Sequence, residues 1–511
     1  MDVIVIGAGF AGICALIKLL ERFPNATVQV FEKADDIGGT WLKNTYPALS
    51  CDIPSQLYSY SFAPNQDWSA VYATQPEILG YIRQVVSTHN CLKNIQLKQE
   101  CLSATWSNVK CLWHVKFLDH DTGEVYTRVS RVLLTAVGFS DIPKDPEDIQ
   151  GINTFSGRIF HSANWDHSFD FRGKDILVVG NGCSANQFIP WLVKNGDIRS
   201  LVQIVKSAHW IAPKENHAVS ATQKWYVSHL TALTRIGPSF KERSSDGIDR
   251  LFRKFPSINR ILAQRHSRLY QKVYAADGTC AIPFTPNPGI PFGAKRPVMD
   301  HGYLEALHDE RVKVMKSPSL EVVASSRLRT ESGEEFTADV IILAHGFKTQ
   351  QLLTPMTISG EDGQQLPDIW QQDGQAASAY MGVAVANFPN LFLLTGPNSL
   401  PSGHSTLISI ECSVEYILRL LKRVLPQPHS PGHTNAWLHV KKDAQDAYNG
   451  WIQEKLQGTV YTSDVRSWYI DQRTGKNTLI WPGSQFAFWW SRCVKPVRWS
   501  DFEGYKPASK R

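Results

Sequence analysis

The stretch VIVIGAGFAGICALIKLL, residues 3–20, decides how the N-terminal part of this chain folds. It opens with a short apolar run typical of a buried parallel strand, passes through Gly-x-Gly-x-x-Gly at residues 7–12, and continues with helical periodicity. A second apolar run, TVQVFEK at residues 27–33, follows and carries Glu32 near its end. The pattern predicts a βαβ unit whose first turn binds a dinucleotide.

The glycines of this turn have separate tasks. Gly7 permits the tight turn, Gly9 lets the backbone approach a pyrophosphate, and Gly12 allows the helix to pack closely on the strand. The phosphates would lie at the helix N-terminus, where free N–H groups and the helix dipole favour anions. Glu32 is positioned to accept hydrogen bonds from ribose hydroxyls. The alternative is a glycine-rich turn without a ligand.

The same pattern recurs further along the chain. DILVVG at residues 175–180 is predicted as a strand, NQFIPWLVKNG at 186–196 as a helix, and LVQIVK at 201–206 as the next strand. The turn between the first strand and the helix is again rich in small residues. The residues expected at its phosphates are Gly180, Asn181, Gly182, Ser184 and Ala185.

The second unit differs from the first at the end of its second strand. No acid stands there, and Lys206 followed by Ser207 takes its place. A carboxylate would repel a 2′-phosphate, whereas a lysine attracts it. This favours NADPH over NADH, with an ordinary surface lysine as the alternative.

Two dinucleotide units in one chain of 511 residues imply two dinucleotides. We expect an α/β protein with two Rossmann-like domains, one for FAD and one for NADPH, and a mainly helical insertion. Further apolar runs at residues 132–138, 338–347 and 388–398 fit buried strands. The predicted boundaries are 1–145 and 365–511 for the FAD-binding domain, 150–214 and 291–364 for the NADPH-binding domain, and 215–290 for the insertion.

Composition excludes several classes of protein. A net charge of +6 from 53 basic and 47 acidic residues is too mild to imply nucleic acid. The nine cysteines are odd in number and form no Cys-x-x-Cys pair, so we expect no disulfide framework, no metal site and no disulfide-reductase chemistry. Reduced thiols indicate a cytoplasmic protein.

The sequence also bears on membrane association. We expect no signal peptide, because apolar residues begin at Val3 with no charged leader. We expect no membrane span, because glycines interrupt the apolar run at residues 3–20. Basic helices in the insertion fit either a solvated face or a membrane surface.

One stretch ahead of the second turn reveals a resemblance. FSGRIFHSANWD, residues 155–166, resembles the fingerprint of the Baeyer–Villiger monooxygenases, which precedes the second dinucleotide turn in that family. Related N- and S-oxygenating flavin monooxygenases share most of the fingerprint but usually lack its Trp-Asp ending. The supporting matches are Gly38-Gly39-Thr40-Trp41, Tyr46-Pro47, Cys51-Asp52 and Lys295-Arg296-Pro297.

The resemblance implies an activity and a set of roles. The enzyme would use NADPH, FAD and O2, through a flavin C4a-peroxide, to convert a ketone to an ester or lactone. Arg296 would be the catalytic cation, Asp52 would orient it through hydrogen bonds, and Lys295 would contact the 2′-phosphate beside Lys206. A basic loop facing water is the alternative for Lys295-Arg296-Pro297. The expected flavin contacts also include Gly39, Thr40, Trp41, Asn44, Asp52 and Tyr58.

The fingerprint residues would form a hinge between the two domains. Gly157 would permit a backbone bend, and His161 and Trp165 would lock the hinge; for His161 a role in packing is the alternative. Two positions depart from the family pattern, Ala48 where glycine is usual and His345 where threonine is usual.

Three functions remain open from the sequence alone. The first is ketone oxygenation, with a bulky hydrophobic ketone of secondary metabolism as the expected substrate. The second is oxygen transfer to nitrogen or sulfur, and the third is non-catalytic nucleotide sensing. No nucleic acid, metal or integral membrane segment is expected, and the oligomeric state is undetermined.

Overall fold

The computed structural model describes residues 1–207, 209–220, 222, 224, 293–401, 405–425, 436–462 and 467–504. Most of the insertion predicted at 215–290 lies outside the described residues.

The described residues form 24 strands and nine α-helices. The strands are β1 (Val3–Ile6), β2 (Val28–Phe31), β3 (Ile95–Gln96), β4 (Gln99–Ser107), β5 (Leu112–Asp119), β6 (Val125–Ser130), β7 (Val132–Thr135), β8 (Ile149–Gln150), β9 (Arg158–His161), β10 (Asp175–Val179), β11 (Ser200–Val205), β12 (Ile211–Pro213), β13 (Val298–Asp300), β14 (Val312–Lys316), β15 (Leu320–Ala324), β16 (Arg327–Thr330), β17 (Glu335–Thr337), β18 (Val340–Leu343), β19 (Thr357–Ser359), β20 (Leu391–Leu393), β21 (Leu400–Pro401), β22 (His439–Val440), β23 (Ile480–Trp481) and β24 (Phe502–Glu503). The helices are α1 (Phe10–Arg22), α2 (Thr40–Lys43), α3 (Gln75–Thr88), α4 (Cys183–Asn195), α5 (Tyr303–Ala306), α6 (Leu366–Gln371), α7 (Thr406–Leu421), α8 (Lys442–Leu456) and α9 (Gln485–Trp489).

The first parallel sheet holds the N-terminal turn. Its strand order is β20-β7-β1-β2-β3, and β1 pairs in parallel with both β2 and β7. All four residues of β1 are buried, as expected for an inner strand covered on both faces. Helix α1 packs against α7, so a segment distant in sequence completes the core of this first unit.

The second parallel sheet holds the second turn. Its order is β14-β11-β10-β18-β9, and β10 pairs in parallel with β11 and β18. Helix α4 follows β10 directly, as α1 follows β1. The prediction of an α/β protein with two Rossmann-like units is confirmed.

Two smaller sheets are attached to these units. One has the order β19-β4-β5-β6 and the other the order β17-β16-β15-β8. In the first, β19 pairs in parallel with β4, so the chain rejoins the first unit by β19 after completing the second. No helix in the described segments is both long and apolar enough to cross a bilayer.

Candidate functional site

The first glycine turn is built from backbone packing. Gly7 has φ +101°, and a Cβ there would lie 2.8 Å from the carbonyl oxygen of Ala136. A Cβ on Gly12 would overlap the carbonyl oxygen of Gly7, so helix and strand approach as closely as glycine allows. Gly9 caps the N-terminus of α1 without a side chain. This end of the helix therefore offers bare N–H groups to an anion.

A fixed carboxylate stands beside this turn. Glu32 follows β2 and is only 8% exposed. One of its oxygens accepts a hydrogen bond from the backbone N–H of Ala8 at 2.6 Å, and the other accepts from Ala34 at 2.9 Å. The carboxylate is thus oriented beside the turn and keeps lone pairs for further donors.

A second pair of glycines closes over the first turn. Gly39 has φ +57°, and a Cβ there would lie 2.9 Å from Cα of Gly9. The next residues form α2, in which Trp41 is buried and donates its indole N–H to the hydroxyl of Tyr58 at 3.1 Å. The structure therefore brings Gly39, Trp41 and Tyr58 to the first turn, as expected for residues around a flavin.

Two further expected flavin contacts belong to the same short helix. Thr40 is exposed at its first position, and the side chain of Asn44 donates to the backbone oxygen of Thr40 at 2.9 Å. Asn44 therefore serves to end the helix in this structure, and its expected contact with flavin stays a prediction.

The second glycine turn is more open than the first. Gly180 has φ +116°, and a Cβ there would overlap the carbonyl oxygen of Ala344. At Gly182, no described atom lies within 4 Å of a built Cβ. Ala185 occupies the third position and is fully buried against the sheet, with Ser184 beside it in the first turn of α4. Open space at Gly182 fits the approach of a pyrophosphate to the helix N-terminus.

The two lysines expected at a 2′-phosphate differ in burial and in their partners. Lys295 is 7% exposed, and its ammonium donates to the hydroxyl of Ser207 at 2.7 Å. Burial lowers its pKa. Asn181 donates to the backbone oxygen of Ser207 at 3.1 Å, so these three residues converge. Lys206 is exposed and pairs instead with Asp148.

Arg296 lies in the loop before β13 and is exposed, with charged and titratable groups of both units near it. Burial alone would lower its pKa, but Cys183 and Asp52 together raise it above the ordinary value. The structure gives Arg296 no hydrogen bond or ion pair with any described residue. Its guanidinium is therefore a permanent cation available to a ligand.

Asp52 lies near Arg296 but contacts other groups. The structure shows no direct hydrogen bond between them, and the carboxylate oxygen Oδ1 of Asp52 faces three other groups. His301 Nε2 lies 3.3 Å from that oxygen, Lys214 Nζ 3.5 Å and Gln187 Nε2 3.5 Å. Burial raises the pKa of Asp52, but the hydrogen bond from His301 and the positive charges of Arg296 and Lys214 outweigh it and lower that pKa overall. Asp52 is therefore ionised at neutral pH.

Several residues of this site carried no signal in the sequence. Gln187, on α4, accepts from the backbone N–H of Ser50 and donates to its carbonyl oxygen, both at 3.1 Å, and so links the two units. Lys214 and His301 follow two short strands of the second unit. Tyr469, near Arg296, belongs to the C-terminal segment. These residues come together only through the fold, and nothing in their local spacing distinguishes them.

The fingerprint residues pack into the second unit. A Cβ on Gly157 would overlap the carbonyl oxygen of Asp339, while its φ lies outside the left-handed region. Close packing excludes a side chain at Gly157, and its expected role in a backbone bend stays a prediction. The ring of Trp165 lies 5.3 Å from Phe160 and 5.1 Å from Phe188.

His161 is buried and neutral. Its Nδ1 accepts from the backbone N–H of Ala163 at 3.0 Å. Burial, aided by His345, lowers its pKa to about 4. These contacts account for packing, and a role of His161 in a hinge stays a prediction.

The two departures have local consequences. Ala48 has φ +61°, a left-handed conformation that glycine adopts more readily. His345 places its ring 5.4 Å from that of His161, and its Nε2 lies 3.2 Å from the carbonyl oxygen of Asp145. Gly346 keeps φ +93°, so the chain reversal after β18 is retained.

Comparison with known proteins agrees with this arrangement. The flavin-binding monooxygenase-like family matches residues 1–217. A Baeyer–Villiger monooxygenase of Pseudomonas aeruginosa is 30% identical, over 95% of this chain and 88% of its own. An FAD-binding monooxygenase of Aspergillus niger is 29% identical, over 98% of this chain and 81% of its own. The structure of cyclohexanone monooxygenase from Rhodococcus sp. Phi1 bound to NADP+ superposes with a TM-score of 0.81 at 25% identity, covering 99% of both chains.

Proposed function

This chain belongs to the Baeyer–Villiger monooxygenases, and we propose that it binds FAD at the first glycine turn and NADPH at the second. With O2, it converts a ketone to an ester or lactone. The relative from Aspergillus niger is named for FAD binding, and the structure from Rhodococcus contains NADP+. Both names support the assignment of cofactors to this chain.

The residues present fit the two cofactors. At the first turn, the bare N-terminus of α1 and the oriented carboxylate of Glu32 suit a pyrophosphate and a ribose. At the second turn, the open space over Gly182 admits a pyrophosphate. Lys295 and Ser207 then suit the 2′-phosphate that distinguishes NADPH.

Arg296 carries the assignment of the reaction. When bound, the reduced flavin supplies oxygen activated from O2, and NADPH supplies the reducing equivalents. Negative charge then develops near the ketone, and a fixed cation in a site enclosed by protein stabilises it. Arg296 meets this need because it is charged, unpaired among the described residues and exposed. No proton transfer from Arg296 is required.

Asp52 contributes to the electrostatic potential at Arg296. Its ionised carboxylate places a negative charge near the guanidinium, which is charged in any case, and makes no direct hydrogen bond to it. Because Gln187 and Ser50 join the two units beside it, Asp52 also ties the cation site to the relative placement of the two cofactors.

The substrate is proposed to be bulky and hydrophobic. Tyr469 lies near Arg296, and its neighbour Trp468 stacks on Phe139 with ring centroids 5.8 Å apart. Aromatic walls of this kind favour an apolar ketone.

The domain boundaries predicted from the sequence remain proposals, as does a cytoplasmic location. The latter is supported by the free cysteines of the described residues.

Replacing Arg296 tests the reaction most sharply. Arg296→Ala should bind FAD and oxidise NADPH, but its rate of ester formation should fall by about 10²–10³, the usual loss for one preorganised electrostatic contact. Released hydrogen peroxide should replace the missing ester. Flavin absorbance, NADPH consumption and product mass are measured together.

The control is Arg172→Ala, which removes an exposed arginine paired with Asp170. It should behave as wild type. If Arg296→Ala forms ester at the wild-type rate, Arg296 is not the catalytic cation.

A further inference from the structure

A buried polar network lies beneath Asp52 and reaches it from the second unit. Lys214 follows β12, and only 1% of its side chain is exposed. Its ammonium lies 2.7 Å from Nε2 of His301, and it donates to the carbonyl oxygen of Cys51 at 2.8 Å and to the hydroxyl of Ser50 at 3.1 Å. Burying a charged group costs free energy unless the group is paired, so these contacts offset the burial of Lys214.

His301 joins this lysine to the carboxylate. It follows β13, and its Nε2 lies 3.3 Å from Oδ1 of Asp52 as well as close to Lys214. Its backbone N–H donates to the side chain of Asn186 on α4, which fixes the ring against the helix of the second turn. With the ring proton on Nε2, His301 donates to Asp52, and Lys214 contributes its charge from 3.5 Å while donating to Cys51 and Ser50. Two groups from the second unit therefore face one carboxylate oxygen of the first.

This convergence has a consequence for Arg296. A buried carboxylate without partners draws the nearest cation into contact, because its charge is otherwise uncompensated. Here Lys214 and His301 compensate Asp52, and Arg296 has no ionic partner among the described residues. Arg296 is exposed, and its guanidinium remains available to a ligand.

We propose that Lys214 and His301 are positioning residues that occupy Asp52 and thereby leave Arg296 free to face the reacting oxygen atoms. This role rests on the proposed function, and no motif in the sequence indicated it for either residue. Lys214 and His301 do not touch substrate themselves. They act through Asp52, and they make the cation site depend on correct docking of the second unit against the first.

The charged and titratable groups around Asp52 come from both units. From the first unit they are Tyr46, Cys51 and Tyr72, and from the second they are Cys183, Lys214, Arg296 and His301. The hydrogen bond from His301 is the largest of the effects that lower the pKa of Asp52. Without it, the carboxyl would bind a proton at a higher pH.

Three variants test this role. In Lys214→Met and His301→Leu, flavin binding and anaerobic reduction by NADPH should stay close to wild type, while ester formed per NADPH consumed should fall about tenfold, the loss expected for one hydrogen bond to a charged group. His301→Gln should recover part of that yield, because its amide can donate to Asp52. In His301→Leu the acid limb of the pH profile should move to higher pH.

The control is Lys194→Met, at an exposed position on α4. It should keep the wild-type yield. Wild-type yields in both Lys214→Met and His301→Leu would overturn the proposal, and so would flavin reduction that slows as much as ester formation.

One readout is independent of ketone oxidation. Infrared spectroscopy of the protein in the absence of substrate, with Asp52→Asn to assign the band, follows the protonated carboxyl of Asp52. The band should appear at higher pH in His301→Leu than in wild type. If wild type makes no ester but the band moves, the proposed function fails while the positioning role stands; an unmoved band overturns the positioning role.

Discussion

The two glycine turns have the same motif and different surroundings. At the first turn, Gly39 packs against Gly9 and covers it, and Gly12 has no room for a Cβ. At the second turn, the space over Gly182 is open, and the buried Ala185 stands in place of the third glycine. We infer that the first turn encloses a cofactor that stays bound to the protein. The second turn is open and binds a cofactor that exchanges with solution.

The largest expected effect is at Gly12. Gly12→Ala places a methyl group onto the carbonyl oxygen of Gly7, which is backbone and cannot move aside. We expect the free energy of unfolding to fall by about 3 kcal/mol or more, as in overpacked cores, with loss of bound flavin. Urea unfolding and flavin absorbance measure both.

The matched change at the second turn is Ala185→Gly. It should cost only about 1 kcal/mol through helix propensity and leave flavin bound. Equal damage from the two variants would remove the contrast between the turns.

The next effect concerns the 2′-phosphate. Lys295→Ala should lower kcat/KM for NADPH by about 10- to 100-fold, the range for a buried hydrogen bond to a charged group, and leave NADH almost unchanged. Lys206→Ala should lower it by less than about fivefold, because an exposed, already paired lysine contributes little. Steady-state kinetics with both coenzymes distinguishes the two lysines, and a loss shared equally by NADPH and NADH would contradict the assignment.

A smaller effect is expected at Gly182. Gly182→Ala should fold with a stability within about 0.5 kcal/mol of wild type, because its methyl group meets open space. The KM for NADPH should rise, since that space is where a pyrophosphate would approach, and flavin content should not change. A KM equal to that of wild type would place the phosphates elsewhere.

The smallest effect is at Ala48. Its φ of +61° is costly for alanine and easy for glycine. Ala48→Gly should raise the free energy of unfolding by at most about 1 kcal/mol, because the greater freedom of glycine in the unfolded chain offsets part of the relief. Thermal unfolding measures this, and a clear loss of stability would mean that the methyl group of Ala48 contributes packing that outweighs the strain.

Local pattern predicted the parts of the site that are contiguous in sequence. The strand–turn–helix pattern around Gly7 and around Gly180 predicted both units, because hydrophobic periodicity and glycine spacing are local properties. The positions of Lys295 and Arg296 followed from a resemblance. Lys214 and His301 were missed, because they meet Asp52 only when two strands distant in sequence pair.

The role of Gly157 shows a second limit. The sequence indicated that a glycine matters there, but not that the reason is contact with Asp339 across the sheet. Similarly, the sequence placed Lys206 at the 2′-phosphate but not its partner Asp148. Local patterns identify residue types, and the partners that decide their roles come from tertiary packing.

One measurement tests the central claim most directly. Purified protein reconstituted with FAD is given NADPH, a hydrophobic ketone and isotopically labelled ¹⁸O2, and the product is analysed by mass spectrometry. The account predicts an ester or lactone that carries a single ¹⁸O atom between the carbonyl carbon and the migrating carbon, formed as NADPH is consumed. Consumption of NADPH that yields only hydrogen peroxide across a broad panel of ketones, or ¹⁸O transfer solely to sulfur or nitrogen, would contradict it.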